Sequence, residues 1–357
     1  MVQAFTVVAV GLAIGLVPTR WLRIPEPMVL LVAGALMRVA MGGDANSDVL
    51  NVAAFIGLFT LLFGVGVELS DLGHRPLTPR GALLAVIGAV VLCGLGVALV
   101  ALVEPMGLAV LAIALSSIPT SAGIAARLIR PHGTGKGSGY PTIISAAVAD
   151  DFFGIALLVL APLLATGAAL DLVGAPTIAL LGSVLIVAGM LLIRPSGIRA
   201  KLVKVGILSA IGIASGASAA LLGVFDGHEV APMMTGTVKR AFILGEKLLP
   251  TMFFMAAGYA IRLPLLDQTR VLTATAAILI ALLVSRIVIA TAAPGPLRAR
   301  LAVGAGMLAR GEVTIAMALV FLQSRVISNA DYATLMAIVL VSTALSAITI
   351  RLNQLGR

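Results

Sequence analysis

Twelve apolar runs follow one another along this chain with only short polar breaks, at 4–19, 24–41, 50–69, 81–103, 106–129, 141–168, 173–193, 203–225, 243–263, 270–292, 300–322 and 332–350. A helix that crosses a bilayer needs roughly 20 apolar residues at about 1.5 Å of rise each, and the runs have that length. Strands of a membrane barrel alternate polar and apolar positions and are only about 10 residues long, so unbroken apolarity selects helices. The composition agrees, with 60% of the 357 residues hydrophobic and 11% charged. An ordinary soluble domain is about a quarter charged, and a water-soluble fold of this make-up would lack the charge to cover its surface. The expected fold class is an all-α polytopic membrane protein of 12–13 transmembrane helices, a single transmembrane domain over 1–357.

The charge balance, 24 Lys+Arg against 15 Asp+Glu for a net +9, reads as cytoplasmic loop charge and excludes a nucleic-acid footprint. Arg20 and Arg23 follow the first run; Arg130, His132 and Lys136 follow the fifth, with Arg127 at its edge; Arg194, Arg199, Lys201 and Lys204 follow the seventh. The intervening loops offer Asp44, Asp48, Glu104 and Asp171 instead. This alternation predicts a multi-pass protein of the cell's inner (plasma) membrane with its N-terminus outside. A cytoplasmic C-terminus, carrying Arg351 and Arg357, requires one more crossing within 203–240, which is why thirteen spans stand beside twelve. The first apolar run has no basic region before it and reads as a first span, not a cleaved signal peptide. Cys93, the only cysteine, rules out a disulfide framework and reads as a small buried hydrophobe. With only His74, His132 and His228 besides, no Cys/His metal site is expected. Trp21, Tyr140 and Tyr332 stand at run ends, as a thin interfacial belt would.

Charged groups are expensive inside a bilayer, so function is sought where the runs nevertheless contain them. Asp150 and Asp151 lie roughly 10 residues into their span, near mid-membrane. Adjacent helical residues point about 100° apart, so one carboxylate can face a cavity and the other a neighbouring helix. Desolvation and mutual repulsion favour the protonated form, while a hard metal cation can take the proton's place. The pair is therefore a candidate proton and ion site; the alternative is a pair of structural salt-bridge partners. In Ser116-Ser117-Ile118-Pro119-Thr120-Ser121 the proline removes a backbone donor in mid-span, which predicts a broken helix whose freed carbonyls line a polar cavity, or a kink satisfied by water. Arg310-Gly311-Glu312 suggests a second interrupted helix, its charges either offsetting half-helix dipoles or touching the ion. Arg286, well inside its run, needs an acidic partner, for which Asp150 is the choice, unless it snorkels to the interface. Glu246 and Lys247 read as a membrane-edge pair.

Two breaks, one in each half of the chain, are the sequence pointer to an inverted-repeat transporter with a central site. The ordered set SSIPTS, AAVADDFFGIALL, LLPTMFFMAAGYAI and LARGEVTIAMAL resembles the monovalent cation:proton antiporter superfamily, most of all its two-aspartate sodium/proton exchangers, along nearly the whole chain. The resemblance implies a thirteen-helix inverted-repeat fold with two crossed discontinuous helices. It implies a homodimer, with a core for transport at about 81–168 and 270–350 and a dimerisation panel at about 1–69 and 173–263. It implies that Asp151 is the main ligand of the transported Na⁺, that Asp150 pairs with the basic residue on the helix 270–292, and that Ser117, Pro119, Thr120 and Ser121 with Arg310 and Glu312 form the crossing. The chain departs from the two-aspartate pattern twice. Arg286 stands where lysine is usual, and an aspartate common in the first broken helix is missing, with Ser121 nearby. Arginine, unlike lysine, does not give up its proton when buried.

No GxxxxGK[ST] segment is present, so the expectation is a secondary antiporter and not an enzyme, exchanging Na⁺ (or Li⁺) for H⁺ by alternating access, with no cofactor. Its partners are then monovalent cations, protons and the lipid bilayer. K⁺/H⁺ exchange is the nearest alternative. A passive cation channel, a non-transporting regulatory subunit and an organic-anion symporter are alternatives of other classes.

Overall fold

The computed structural model describes residues 2–16, 25–42, 48–72, 79–105, 107–120, 149–150, 236–293 and 296–355, together with positions 146, 203, 207, 230 and 234. Among the described residues the secondary structure is helical throughout: α1 (Val2–Leu16), α2 (Glu26–Met41), α3 (Asp48–Leu72), α4 (Pro79–Val100), α5 (Leu108–Ser116), α6 (Gly236–Ala260), α7 (Thr269–Ala292), α8 (Leu297–Gly306), α9 (Glu312–Gln323) and α10 (Asn329–Leu355), with a 3₁₀ turn at Leu263–Asp267. Four of these contain apolar stretches long enough to cross a membrane, Pro79–Val100, Ala241–Ala260, Thr269–Ala292 and Asn329–Ile350. Local signals place the ends. Pro27 sits in the first turn of α2, and Gly42, at φ 65°, closes it by donating its amide to the Arg38 carbonyl. α10 opens on a reciprocal cap in which the Ser328 amide reaches Asp331 Oδ2 at 2.8 Å and the Asp331 amide reaches Ser328 Oγ at 3.2 Å.

Most helices match their apolar runs to within a few residues, and two runs do not survive as single helices. In the run 106–129 α5 ends at Ser116 and the chain is irregular over 118–120, with 121–129 outside the described residues, and the run 300–322 divides into α8 and α9. The run 173–193, nearly all of the runs 141–168 and 203–225, the stretch 226–229, Trp21 and Tyr140 lie outside the described residues, and so does most of 203–240, where a thirteenth crossing is expected. Tyr332 is fully buried, so it is a core residue and not part of an interfacial belt. Glu246 and Lys247 fall inside α6, with Glu246 partly buried and its carboxylate directed toward Gly64.

The chain forms two compact units, one of residues 1–73 and 158–261 and the other of 74–157 and 262–357. In the first, α6 is the helix on which α1, α2 and α3 pack. The contacts are made through glycine: a Cβ on Gly34 or Gly258 would collide with the backbone of the facing helix, and one on Gly57 would stand 2.7 Å from Leu249 O. In a bilayer there is no water to drive helices together, so close backbone approach and dispersion do the work. The ends of α2 and α6 are tied by Arg38, which donates to Tyr259 O at 2.8 Å and lies 5.7 Å over the Tyr259 ring, and by the Tyr259 hydroxyl, which donates to Gly42 O.

In the second unit α4 packs along α7, α5 packs against α4 and α9, and α10 lies against α7, α8 and α9. α7 contributes Ala281 and Leu282 to one apolar cluster, with Leu92, Ile118 and Leu308, and Ile289 and Ala293 to another, with Leu84, Val303 and Met307. Cys93 packs half-buried at the edge of the first. Ser285 and Arg286 fall between the two clusters, so the polar residues of α7 are set between apolar layers.

Replacing Gly258 by valine forces α6 off α2 and is expected to cost about 1–3 kcal/mol. A lowered thermal unfolding midpoint in detergent checks it, with Leu36→Ala on the exposed face of α2 as the near-neutral comparison.

Candidate ion-binding site

Each interrupted helix leaves carbonyls without an intrahelical partner, in a region where water is scarce. α5 stops at Ser116 because Pro119 cannot continue it; Ser117 folds its hydroxyl back to Ile113 O at 2.8 Å, and Ile118 to Thr120 run on as irregular buried chain. α8 stops at Gly306, and the chain is irregular from Met307 to Gly311 before α9 begins at Glu312. The two breaks meet. Arg310 Nη1 donates to Ile118 O at 2.8 Å and to Pro119 O at 2.9 Å, and Thr314 Oγ1 donates to Pro119 O at 3.3 Å. From α10, Thr343 Oγ1 donates to Arg310 O at 2.8 Å and Ser346 Oγ to Ala305 O at 2.7 Å. A positive charge thus caps the carbonyl end of α5, while Glu312 occupies the first turn of α9, where the exposed N–H groups favour an anion.

Asp150 lies against this junction. The Thr120 hydroxyl donates to Asp150 Oδ2 at 2.6 Å and accepts from Arg310 Nη1 at 2.7 Å, so it links carboxylate to guanidinium. Arg286 Nη1 approaches the same Oδ2 at 3.9 Å, an ion pair too long for a hydrogen bond. Asp150 is 1% exposed, Arg286 3% and Arg310 0%, so Arg286 does not snorkel. Asp150 Oδ1 has no hydrogen-bond partner among the described residues. A buried carboxylate oxygen in that condition is unfavourable unless a proton or a cation comes to it. Asp151 and Ser121 lie outside the described residues.

The structure therefore brings Thr120, Asp150, Arg286 and Arg310 together, with Ser117 and Pro119 shaping the first break and Glu312 the second. Sequence reasoning missed the hydroxyls of Thr343 and Ser346, although polar residues in the apolar stretch of α10 were a signal. It also read Glu104 as a loop charge. Glu104 is buried and takes Arg270 Nε at 2.6 Å and Nη2 at 2.8 Å, while Arg270 Nη2 also reaches Asp331 Oδ1 at 3.0 Å. That cluster joins the ends of α4, α7 and α10.

Two interrupted helices that touch around a buried carboxylate and two guanidinium groups, within a bundle of apolar helices, define a membrane transporter. Residues 6–352 match the family model described as sodium/hydrogen exchanger, transmembrane, and the chain belongs to that family. It is 27% identical, over 84% of its own length and 70% of the relative's, to the high-affinity Na⁺/H⁺ antiporter NhaS3 of Synechocystis sp.. Its fold is that of the sodium proton antiporter MjNhaP1 of Methanocaldococcus jannaschii, with a TM-score of 0.70 over 99% of this chain and 98% of that one at 18% identity.

Thr120→Val removes the donor to Asp150 and one acceptor of Arg310, and is expected to lower stability by about 1–3 kcal/mol, with Thr120→Ser close to wild type. Thermal unfolding of the two purified variants in detergent distinguishes them.

Proposed function

We propose that this protein is a secondary antiporter that exchanges Na⁺, or Li⁺, for H⁺ at the Asp150/Asp151 site by alternating access. The observation that carries this reading is Asp150 Oδ1, a buried carboxylate oxygen with no hydrogen-bond partner among the described residues. A proton or a partly dehydrated cation satisfies that oxygen, and the two compete for it. The site changes sides most readily when its negative charge is neutralised by one or the other, which couples the two fluxes without a separate path for each. Asp151 is the second ligand and, by the resemblance, the main one. Thr120 holds Asp150 in place, and the carbonyls of Ile118 and Pro119 are held by Arg310. Arg286 supplies a permanent positive charge, because a guanidinium does not deprotonate in a protein. All protons exchanged therefore ride on carboxylates.

The family to which the chain belongs and the Na⁺/H⁺ antiport of NhaS3 and MjNhaP1 support Na⁺ and H⁺ as the cargo. The same reading takes the protein to be a homodimer in the plasma membrane, without a resident cofactor and without enzymatic turnover. The loop charges support an external N-terminus and a cytoplasmic C-terminus, and the two compact units support a transport part distinct from a dimerisation panel.

Proteoliposomes carrying an internal pH dye test this directly. Pulses of Na⁺ or Li⁺ are expected to release protons, and Asp150→Asn and Asp151→Asn to abolish the signal; wild-type exchange by Asp151→Asn removes that residue from the site, and a response to K⁺ alone reassigns the cargo. Competition also fixes a sign. On the acid side of the carboxylate titration the apparent KM for Na⁺ is expected to rise about tenfold for each unit fall in pH. A KM independent of pH there would show that proton and cation do not share a site.

A further inference from the structure

Arg286 is 3% exposed, and none of its guanidinium nitrogens has a hydrogen-bond partner among the described residues. Among the described residues its polar contact is the 3.9 Å ion pair with Asp150, too long to fix its position, so the packing around it matters. What surrounds its stretch of α7 is close helix packing through glycine. α4 presents Gly88, whose carbonyl accepts a hydrogen bond from Ser285 Oγ at 2.8 Å. A Cβ on Gly88 would stand 2.5 Å from Ile289 Cδ1 and 3.4 Å from Arg286 Nη1. α8 presents Gly304, where a Cβ would stand 2.9 Å from the Arg286 carbonyl and 3.1 Å from Ala290 Cβ. Two neighbouring helices thus reach α7 through glycine at the turn that carries Arg286.

We propose that Gly88, Ser285 and Gly304 are positioning residues that seat Arg286 beside Asp150, so that close packing of α4 and α8 on α7 sets the strength of the fixed positive charge at the cation site. The proposal rests on the exchange reading above. Arg286 Nη1 stands 3.9 Å from Asp150 Oδ2, a separation at which charge interaction is steep in distance. With an effective dielectric constant of about 20, a retreat of about 1 Å changes the affinity of the carboxylate for a cation roughly fourfold. A methyl group at Gly304 meets the Arg286 carbonyl and shifts that turn of α7, and one at Gly88 crowds the Ile289 side chain and the Arg286 guanidinium beside it; either way the guanidinium is displaced from Asp150. Less positive charge beside the carboxylate means tighter cation binding and slower release.

The experiment uses the full chain in proteoliposomes and in detergent. Gly88→Ala, Gly304→Ala and Ser285→Ala are compared with Gly96→Ala, which lies two turns further along α4, where a Cβ would meet Ile278 Cδ1 at 3.1 Å. KM and kcat are measured for whichever of Na⁺, Li⁺ and K⁺ the wild type exchanges, on the alkaline side where KM no longer depends on pH, because a weaker positive charge also tightens proton binding and the two effects cancel where protons compete. The first three variants are expected to lower KM, by roughly fourfold for the glycine variants, and to lower kcat with it. Gly96→Ala is expected to lower only the unfolding midpoint. Thermal unfolding in an Arg286→Met background supplies the second readout. There Gly88→Ala, made in an Ile289→Val chain so that the clash with Cδ1 does not enter, is expected to lose most of its effect, whereas Gly96→Ala keeps its own, because only coupled positions are non-additive. Should Gly88→Ala fail to fold, Gly88→Ala/Ile289→Val removes the clash with Cδ1 and leaves the methyl group against Nη1. A wild-type KM in these variants, or additivity with Arg286→Met, overturns the proposal. A wild type that exchanges none of the three cations overturns the exchange reading instead, and the unfolding cycle still decides the seat.

Discussion

The Arg310 guanidinium, fully buried where two helices are interrupted, makes the interaction on which the rest of the second unit depends. One of its nitrogens takes up two carbonyls left free by the end of α5 and the hydroxyl of Thr120 as well. In water those carbonyls would be hydrated and the arrangement would be unnecessary. In a bilayer each unsatisfied group costs several kcal/mol, so an unwound segment persists only if something nearby satisfies it. Arg310 does so from the opposite break, which is why neither interruption is structurally independent of the other. The hydroxyls of Thr343 and Ser346 extend the same service to the carbonyls around the second break.

The charge arrangement follows from that constraint. A buried guanidinium needs anionic company, and Asp150 supplies it here, reached from Arg310 through Thr120 and from Arg286 across a gap of 3.9 Å. Because Arg286 pairs without a hydrogen bond, the carboxylate is counterbalanced yet keeps one oxygen unclaimed among the described residues. Apolar clusters on both sides along α7 keep this centre out of contact with bulk water, which strengthens every electrostatic effect inside it. Among the described residues of the first unit, by contrast, α1, α2 and α3 meet α6 through glycine, and Arg38 and Tyr259 tie the ends of α2 and α6.

Particular residues show how far a sequence can be read. Among the described residues the apolar runs give the helices and most of their limits, since length and continuity of apolarity are local properties. Pro119 marks the end of α5 because a missing N–H is a covalent fact, and Gly311 stands where the second helix is interrupted. Asp150 and Arg286 attract attention because buried charge is expensive wherever it occurs. Other features give no local sign. Glu104 looks like any loop carboxylate until α4, α7 and α10 bring Arg270 and Asp331 to it. Tyr332 resembles an interfacial aromatic by position in the run, and the packing of α10 buries it instead. Gly88 and Gly304 are two glycines among 38, distinguished only by the helix that lies across them.

By itself the sequence determined that the chain is a bundle of membrane helices, that two of its spans are interrupted, and that acids and arginines are buried within it. These follow from hydrophobicity, backbone chemistry and the cost of desolvating charge, all of which act residue by residue. Only the tertiary structure decided that the two interruptions touch, that Thr120 joins Arg310 to Asp150, and which carboxylate oxygen is left unclaimed. Those outcomes depend on directions and on separations of a few tenths of an ångström between segments up to 195 positions apart in the chain, and no local rule of sequence encodes a distance across the fold.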